Sequence, residues 1–124
     1  MNMRASIDAA QTSGPLEHGD GAMAFAFRFA ADDPAFAGHF PTRPLLPGVF
    51  QLEMARRAAE GVMNCPLSVR EVCRAKFLRP ILPEEIVLLK LKLAEKDGGI
   101  QAQAEFSVGG QAAGRAVLFL WRND

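Results

Sequence analysis

The sequence has few of the residues that build metal centres or disulfide frameworks. It contains two cysteines and two histidines in 124 residues. Cys65 and Cys73 match neither a metal-ligand spacing nor a disulfide framework, so we expect free thiols in a reducing compartment. His18 and His39 are far apart in the chain, and no cluster of Cys, Asp or Glu accompanies them. We therefore expect neither a metal nor another resident cofactor.

The chain also lacks an excess of either charge and any long apolar run. Fourteen Lys and Arg residues balance fourteen Asp and Glu residues, so the composition does not favour nucleic acid or an anionic membrane as a partner. No apolar run approaches the roughly 20 residues that span a bilayer. Residues 1–21 contain no hydrophobic segment of the secretion-signal type. We expect a cytoplasmic protein that binds neither nucleic acid nor membrane.

The length indicates a single domain. A chain of 124 residues with 49% hydrophobic residues can bury roughly two-thirds of its unfolded surface. Residues 1–21 are small and polar with scattered Gly and Pro, a composition typical of a flexible N-terminal arm. We therefore predict an arm over residues 1–21 and one domain over residues 22–124.

The domain begins and ends with patterns typical of strands. Phe25, Phe27 and Phe29 alternate with smaller or polar residues, which predicts a half-buried strand. Four later stretches also resemble strands, and short glycine-bearing connectors at 96–99 and 109–110 predict hairpins. We expect these four strands to form an antiparallel meander. The five predicted strands cover residues 23–30, 67–78, 85–94, 100–108 and 112–122.

One helix is predicted between the first strand and the others. Prolines at 41, 44 and 47 keep the preceding loop out of the helical region. Residues 49–60 contain no Pro or Gly and are rich in good helix formers. Pro47 suits the helix start and Gly61 a C-cap. Because the helix is apolar on most sides, we expect it to be buried under a curved sheet, which is an α+β layout.

Four motifs around this helix carry a family resemblance. They are Gly38-His39-Phe40-Pro41, Pro44-Leu45-Leu46-Pro47-Gly48-Val49, Leu52-Glu53 and, downstream, Lys76-Phe77-Leu78-Arg79-Pro80-Ile81-Leu82-Pro83. Together they resemble the β-hydroxyacyl-acyl-carrier-protein dehydratases, in which an acid follows the loop histidine by fourteen positions, as Glu53 follows His39 here. The similarity extends over about residues 24–120.

The resemblance implies a fold and an activity. The fold is the hot-dog fold, a curved antiparallel sheet wrapped around one long central helix. The activity is dehydration of a 3-hydroxyacyl thioester to the trans-2-enoyl thioester in fatty-acid or polyene-type acyl-chain synthesis. Acyl carrier protein or coenzyme A delivers such a substrate on phosphopantetheine, so no separate cofactor is implied.

The resemblance also assigns roles to three residues. His39 is the base that removes the C2 proton, and Glu53 is the acid that protonates the leaving C3 hydroxyl. The Gly48 N–H, an unpaired donor at the helix N-terminus, stabilises the thioester oxygen. In this family the site lies at a dimer interface, so His39 is expected to face Glu53 of the partner chain in a homodimer or a higher oligomer.

Two departures from the family pattern leave alternatives open. Arg57 occupies a position that is commonly Gln, and an i, i+4 pair with Glu53 would hold that carboxylate ionised and weaken it as an acid. Glu84 stands where the family usually has Gly. One alternative is a thioesterase on the same fold, in which the helix carboxylate activates water or attacks the carbonyl. The other is a non-catalytic acyl-binding partner subunit.

Overall fold

The computed structural model describes residues 2–36 and 44–123, and in these ranges it contains two α-helices and six β-strands. In chain order they are α1 (Met3–Ala10), β1 (Gln11–His18), β2 (Ala22–Arg28), α2 (Gly48–Met63), β3 (Leu67–Phe77), β4 (Ile86–Lys96), β5 (Gly99–Val108) and β6 (Gln111–Arg122). None of these helices is long and apolar enough to cross a membrane.

The six strands form one antiparallel sheet in the order β1-β2-β4-β5-β6-β3. Asp97 and Gly98 connect β4 to β5 with φ values of 50° and 81°. Gly109 and Gly110 connect β5 to β6 with φ values of 57° and 82°. Two successive residues with positive φ match the twist of a tight hairpin. The two predicted hairpins are therefore confirmed.

Helix α2 lies against the concave face of the sheet. It has 16 residues and is therefore about 24 Å long, so it is a helix of ordinary length rather than a long one. Phe50 meets Phe29 edge to face, with ring centroids 6.1 Å apart. Apolar side chains that alternate along β2, β4, β5 and β6 complete the core, as the period-two pattern predicts. The buried residues on α2 are Phe50, Gln51, Met54, Ala55, Ala58 and Ala59.

The prediction of an irregular arm over residues 1–21 is wrong. Residues 3–18 form α1 and β1, and Ile7 is fully buried in the same core as α2. The side chain of Asn2 caps α1 by accepting the Ala5 N–H at 3.0 Å. Composition concealed these elements because α1 presents only a few apolar residues to the core, and β1 is held by backbone pairing with β2.

Two further expectations are corrected. The meander includes only β4, β5 and β6, because β3 pairs with β6 and forms the edge of the sheet. Helix α2 continues through Gly61 and ends at Asn64, whose φ is 55° and whose N–H donates to the Glu60 carbonyl at 2.8 Å. Asn tolerates this left-handed conformation, and an exposed glycine in a helix costs only about 1 kcal/mol.

Glu84 also adopts a left-handed conformation, with φ at 68°. Its carboxylate forms an ion pair with Arg28 and accepts the Ala31 N–H at 3.0 Å. A glutamate therefore occupies a conformation that glycine adopts most readily. These two contacts offset the conformational cost of a side chain there.

Candidate active site

Gly48 is the first residue of α2, and its N–H lies at the positive end of the helix. The first N–H groups of a helix lack partners within it, and in the described part of the chain the N-cap residue, Pro47, offers no side-chain cap. A Cβ at position 48 would lie 2.7 Å from the Phe77 ring. Only glycine therefore allows the ring and the helix N-terminus to approach so closely.

A mostly apolar groove of about 240 Å³ opens beside this helix end. Its walls come from the segment before α2, from the first turn of α2 and from the end of β3. A helix N-terminus in an apolar groove can stabilise developing negative charge on an oxygen atom, because few other dipoles compete there. The groove is lined by Leu45, Leu46, Gly48, Gln51, Phe77, Leu78, Arg79 and Pro80.

His39 lies in the segment 37–43, outside the described residues, so its role as the base stays a prediction. The chain on either side of that segment is anchored. Ala35 and Phe36 are buried before it, and after it Leu46 donates its N–H to the Ile81 carbonyl at 2.8 Å. The described residues on both sides of that segment therefore belong to the packed part of the domain.

Glu53 is held by Arg56. The Nε and Nη2 atoms of Arg56 donate to Glu53 Oε2 at 2.9 and 2.8 Å. Arg56 Nη1 also donates to the Leu67 carbonyl at 3.0 Å and lies 3.0 Å from Glu60 Oε2. Hydrogen bonding to Glu53 raises the pKa of Arg56. The guanidinium is therefore a fixed positive charge that orients the Glu53 carboxyl group.

The predicted ion pair between Glu53 and Arg57 is wrong. Arg57 Nε and Nη2 donate to the two carboxylate oxygens of Asp8 on α1, at 2.9 and 3.2 Å. Its Nη1 donates to Glu60 at 3.2 Å. The i, i+3 spacing brings Arg56 to Glu53, whereas the side chain of Arg57 reaches the neighbouring helix.

Gly48 and Glu53 lie on different faces of α2. Five residues separate them, which corresponds to about 140° around the helix, and Glu53 does not line the groove beside Gly48. Val49 shares the Glu53 face, four residues earlier, and is 49% exposed. In one protomer, the Gly48 N–H and the Glu53 carboxyl therefore do not converge on the same point.

Within the described residues, strand β3 pairs on one side only and forms an edge of the sheet. All of its residues except Leu67 are exposed, including Val69, Val72 and Phe77. An eleven-residue edge strand with exposed apolar side chains is a surface that proteins usually cover. Phe77 also packs on Gly48, so this edge leads directly to the groove.

Comparison with known proteins identifies the family. A family model described as ApeI-like, ApeI dehydratase, matches residues 16–116. The chain belongs to the ApeI-like dehydratase family. The resemblance to the β-hydroxyacyl-acyl-carrier-protein dehydratases and the hot-dog fold are confirmed, and the protein is a dehydratase.

Curated relatives support the same assignment. The chain is 38% identical over 103 residues to the 3-hydroxyacyl-[acyl-carrier-protein] dehydratase FabZ of Histophilus somni, an alignment that covers 75% of this chain and 68% of that protein. It is 31% identical over 97 residues to the FabZ of Natranaerobius thermophilus, with 72% and 68% covered. Among solved structures, the dehydratase heterocomplex ApeI:P from Xenorhabdus doucetiae matches with a TM-score of 0.72 and 25% identity, over 89% of this chain and 100% of that chain.

Two residues of this ApeI-like dehydratase matter to the site and were missed from the sequence. The signal for Arg56 was its i, i+3 spacing from Glu53. Gln51 is 3% exposed and lines the groove one turn after Gly48. A polar residue between Phe50 and Leu52 in an otherwise apolar turn was the available signal. Within residues 2–36 and 44–123, no group of three or more His, Cys, Asp or Glu side chains could hold a metal ion.

Proposed function

We propose that this protein removes water from a 3-hydroxyacyl thioester to give the trans-2-enoyl thioester, in fatty-acid or polyene-type acyl-chain synthesis. The substrate arrives on the phosphopantetheine of acyl carrier protein or of coenzyme A, and no other cofactor takes part. The observation that carries the proposal is the uncapped N-terminus of α2 at Gly48, which opens into an apolar groove in a chain of the dehydratase family.

The proposed chemistry divides among three groups. His39 takes the proton from C2, and the electron pair left on C2 develops into the new C2–C3 double bond. The thioester oxygen gains negative charge during this step and is stabilised by the Gly48 N–H. Glu53 gives its proton to the C3 hydroxyl, which leaves as water. His39 then returns a proton to Glu53 by way of solvent, so that only water is lost overall.

We propose that two copies of the chain share each site. The Gly48 and Glu53 faces of α2 diverge in one protomer, and the exposed edge of β3 lies beside the groove. Pairing of β3 with a second copy would bury that edge. His39 and Gly48 of one protomer would then act with the partner subunit's Glu53. A cytoplasmic homodimer, or a higher oligomer built from it, is the proposed form.

The carrier is proposed to dock near the mouth of the groove. Arg74 and Lys76 are exposed on β3, beside the groove residue Phe77. They are suitable contacts for the phosphates of coenzyme A or for an acidic carrier protein. Arg79 is less suitable than these two, because it already pairs with Glu85 at 2.9 Å.

One observation favours a second function, that of a non-catalytic acyl-binding subunit. Two hydrogen bonds from Arg56 engage the Glu53 carboxyl group within its own chain, which leaves it less free to meet a substrate. A known protein of similar fold is described as a heterocomplex. Under this hypothesis the protein binds the acyl thioester but a partner subunit supplies the chemistry.

Mass spectrometry of the purified protein with a panel of 3-hydroxyacyl thioesters tests the proposal. We expect loss of one water from the thioester, abolished in both His39→Ala and Glu53→Gln. Release of free thiol and acid would instead indicate a thioesterase. Binding without turnover at every chain length, in an intact dimer, would favour the non-catalytic subunit and contradict the proposed reaction.

A further inference from the structure

Gln51 is a buried polar residue on a helix face that is otherwise apolar. It is 3% exposed, and the neighbouring core positions of α2 are Phe50, Met54 and Ala55. The other buried polar residue in the described part of the chain, Ser6, donates its hydroxyl to Asp33 at 2.8 Å. Gln51 differs because its side-chain oxygen has no such partner.

The Oε1 atom of Gln51 is buried and accepts no hydrogen bond in the described part of the chain. It lies over Gly114 of β6, where an added Cβ would be only 2.1 Å away. The Lys76 carbonyl oxygen lies 3.3 Å from that same Cβ position. The space beside Oε1 therefore exists because residue 114 has no side chain. The Lys76 carbonyl oxygen near that space is a second acceptor and not a donor. A buried acceptor without a donor destabilises the protein.

Gln51 and Gly48 line the same groove. They are three residues apart, so they lie on one side of α2 and about 4.5 Å apart along its axis. The carboxamide at the end of a glutamine rotates about a soft terminal torsion. That rotation can carry Oε1 from the Gly114 side toward a ligand in the groove.

We propose that Gln51 is a specificity-determining residue that accepts a hydrogen bond from the C3 hydroxyl of the acyl chain bound beside Gly48. This inference rests on the proposed function, which places the thioester carbonyl at the Gly48 N–H. Two carbon–carbon bonds separate the thioester carbon from C3, so the hydroxyl reaches the next turn of α2. The hydroxyl supplies the donor that Oε1 lacks.

The same contact would let the site distinguish the substrate from the product. The 3-hydroxyacyl thioester has an O–H to donate, whereas the enoyl product and a saturated acyl chain have none. Binding the product therefore leaves Oε1 without a partner again. A site built to hydrogen-bond a hydroxyl rejects analogues that lack it, because its own polar group is then left unpaired. Gln51 is expected to favour the substrate over both.

Equilibrium binding tests this inference without requiring turnover. The Glu53→Gln protein is titrated with 3-hydroxyoctanoyl-pantetheine and with octanoyl-pantetheine, by calorimetry. We expect the hydroxylated thioester to bind about fivefold to tenfold more tightly, the size of one neutral hydrogen bond. Adding Gln51→Leu should reduce that ratio to about one and leave the affinity for octanoyl-pantetheine equal or higher.

Matched variants separate this role from a structural one. Gln103→Leu makes the same chemical change on the exposed side of β5 and should leave the ratio unaltered. Gln51→Met provides an unbranched second variant if the leucine protein does not fold. A ratio that persists in either Gln51 variant, or an equal loss of affinity for both thioesters, would overturn the inference.

The result of this binding test can also be distinguished from the result of the test of the proposed function. Dehydration by the unsubstituted protein, together with a binding ratio that does not depend on Gln51, would contradict only the role of Gln51. A ratio that depends on Gln51 in a protein that removes no water would support the hydroxyl contact while contradicting the proposed reaction.

Discussion

Position 48 combines a close packing contact with a catalytic donor. In Gly48→Ala the new Cβ would lie 2.7 Å from the Phe77 ring, which is 48% exposed and lines the same groove, so the ring must shift. If the shift keeps the thioester oxygen from the Gly48 N–H, we expect kcat to fall by up to about 10²-fold to 10³-fold, the usual effect of losing one oxyanion contact. Steady-state kinetics on a 3-hydroxyacyl thioester measures this.

Gly61 supplies the control for that substitution. It lies inside α2, and nothing within 4 Å would meet an added Cβ. Gly61→Ala should therefore leave kcat unchanged and stabilise the protein by about 1 kcal/mol. Equal losses of activity in the two variants would show that any alanine in α2 is harmful, and would remove the argument for Gly48.

Arg56 rather than Arg57 contacts Glu53. Its two hydrogen bonds engage Glu53 Oε2 within the chain, whereas a general acid must be free to reach the leaving hydroxyl. Arg56→Gln should therefore raise kcat by up to about tenfold, because the carboxyl group is released. Steady-state kinetics on a 3-hydroxyacyl thioester measures the gain.

Arg57→Gln is the matched control, because Arg57 contacts Asp8 and Glu60 and not Glu53. Its kcat should match that of the unsubstituted protein. A gain in Arg57→Gln with none in Arg56→Gln would contradict the assignment. A loss of activity in Arg56→Gln would show that Arg56 orients Glu53 and does not hinder it.

Helix α1 packs in the core of the domain, so its contribution to the stability of the protein can be measured. Ile7 is fully buried, so Ile7→Ala should reduce the free energy of unfolding by about 2–4 kcal/mol. Ile86 is 59% exposed, and Ile86→Ala should change it by less than about 0.5 kcal/mol. Urea denaturation gives both values. A small effect at Ile7 would show that α1 unfolds separately from the core.

The elements that the sequence predicted are those in which side chains determine the structure. Alternating Phe25, Phe27 and Phe29 mark a strand because every second residue enters the core. Glycines at 98, 109 and 110 mark hairpins because the turns require positive φ. Strand β1 lacks such a signal, since backbone pairing with β2 holds its polar residues.

Some contacts in the site could not be predicted from the spacing of residues along the sequence. Glu53 has an arginine at i+3 and another at i+4, and both positions share its side of the helix. Asp8 pairs with Arg57, which leaves Arg56 to contact Glu53. Asp8 lies on α1, a helix that was not predicted from the composition. Likewise, nothing local in the sequence shows that Gly114 of β6 lies over Gln51.

At the scale of the whole molecule, the open edge and the divided site point to the same assembly. Strand β3 exposes Val69 and Val72 and ends at the groove, and Glu53 lies on the face of α2 away from Gly48. A second copy that pairs along β3 would cover the edge and bring its own Glu53 face to the groove. The proposed site is therefore complete only in the dimer.

Complementation between two inactive variants tests this shared site directly. His39→Ala and Glu53→Gln are co-expressed with different tags, and the mixed dimer is purified through both. If each site combines His39 of one protomer with the partner subunit's Glu53, one of the two sites in the mixed dimer is intact. We then expect about half of the activity of the unsubstituted dimer. Doubly tagged dimers of either single variant should stay inactive. An inactive mixed dimer would place both residues in one protomer, and failure of the two tags to co-purify would contradict the homodimer itself.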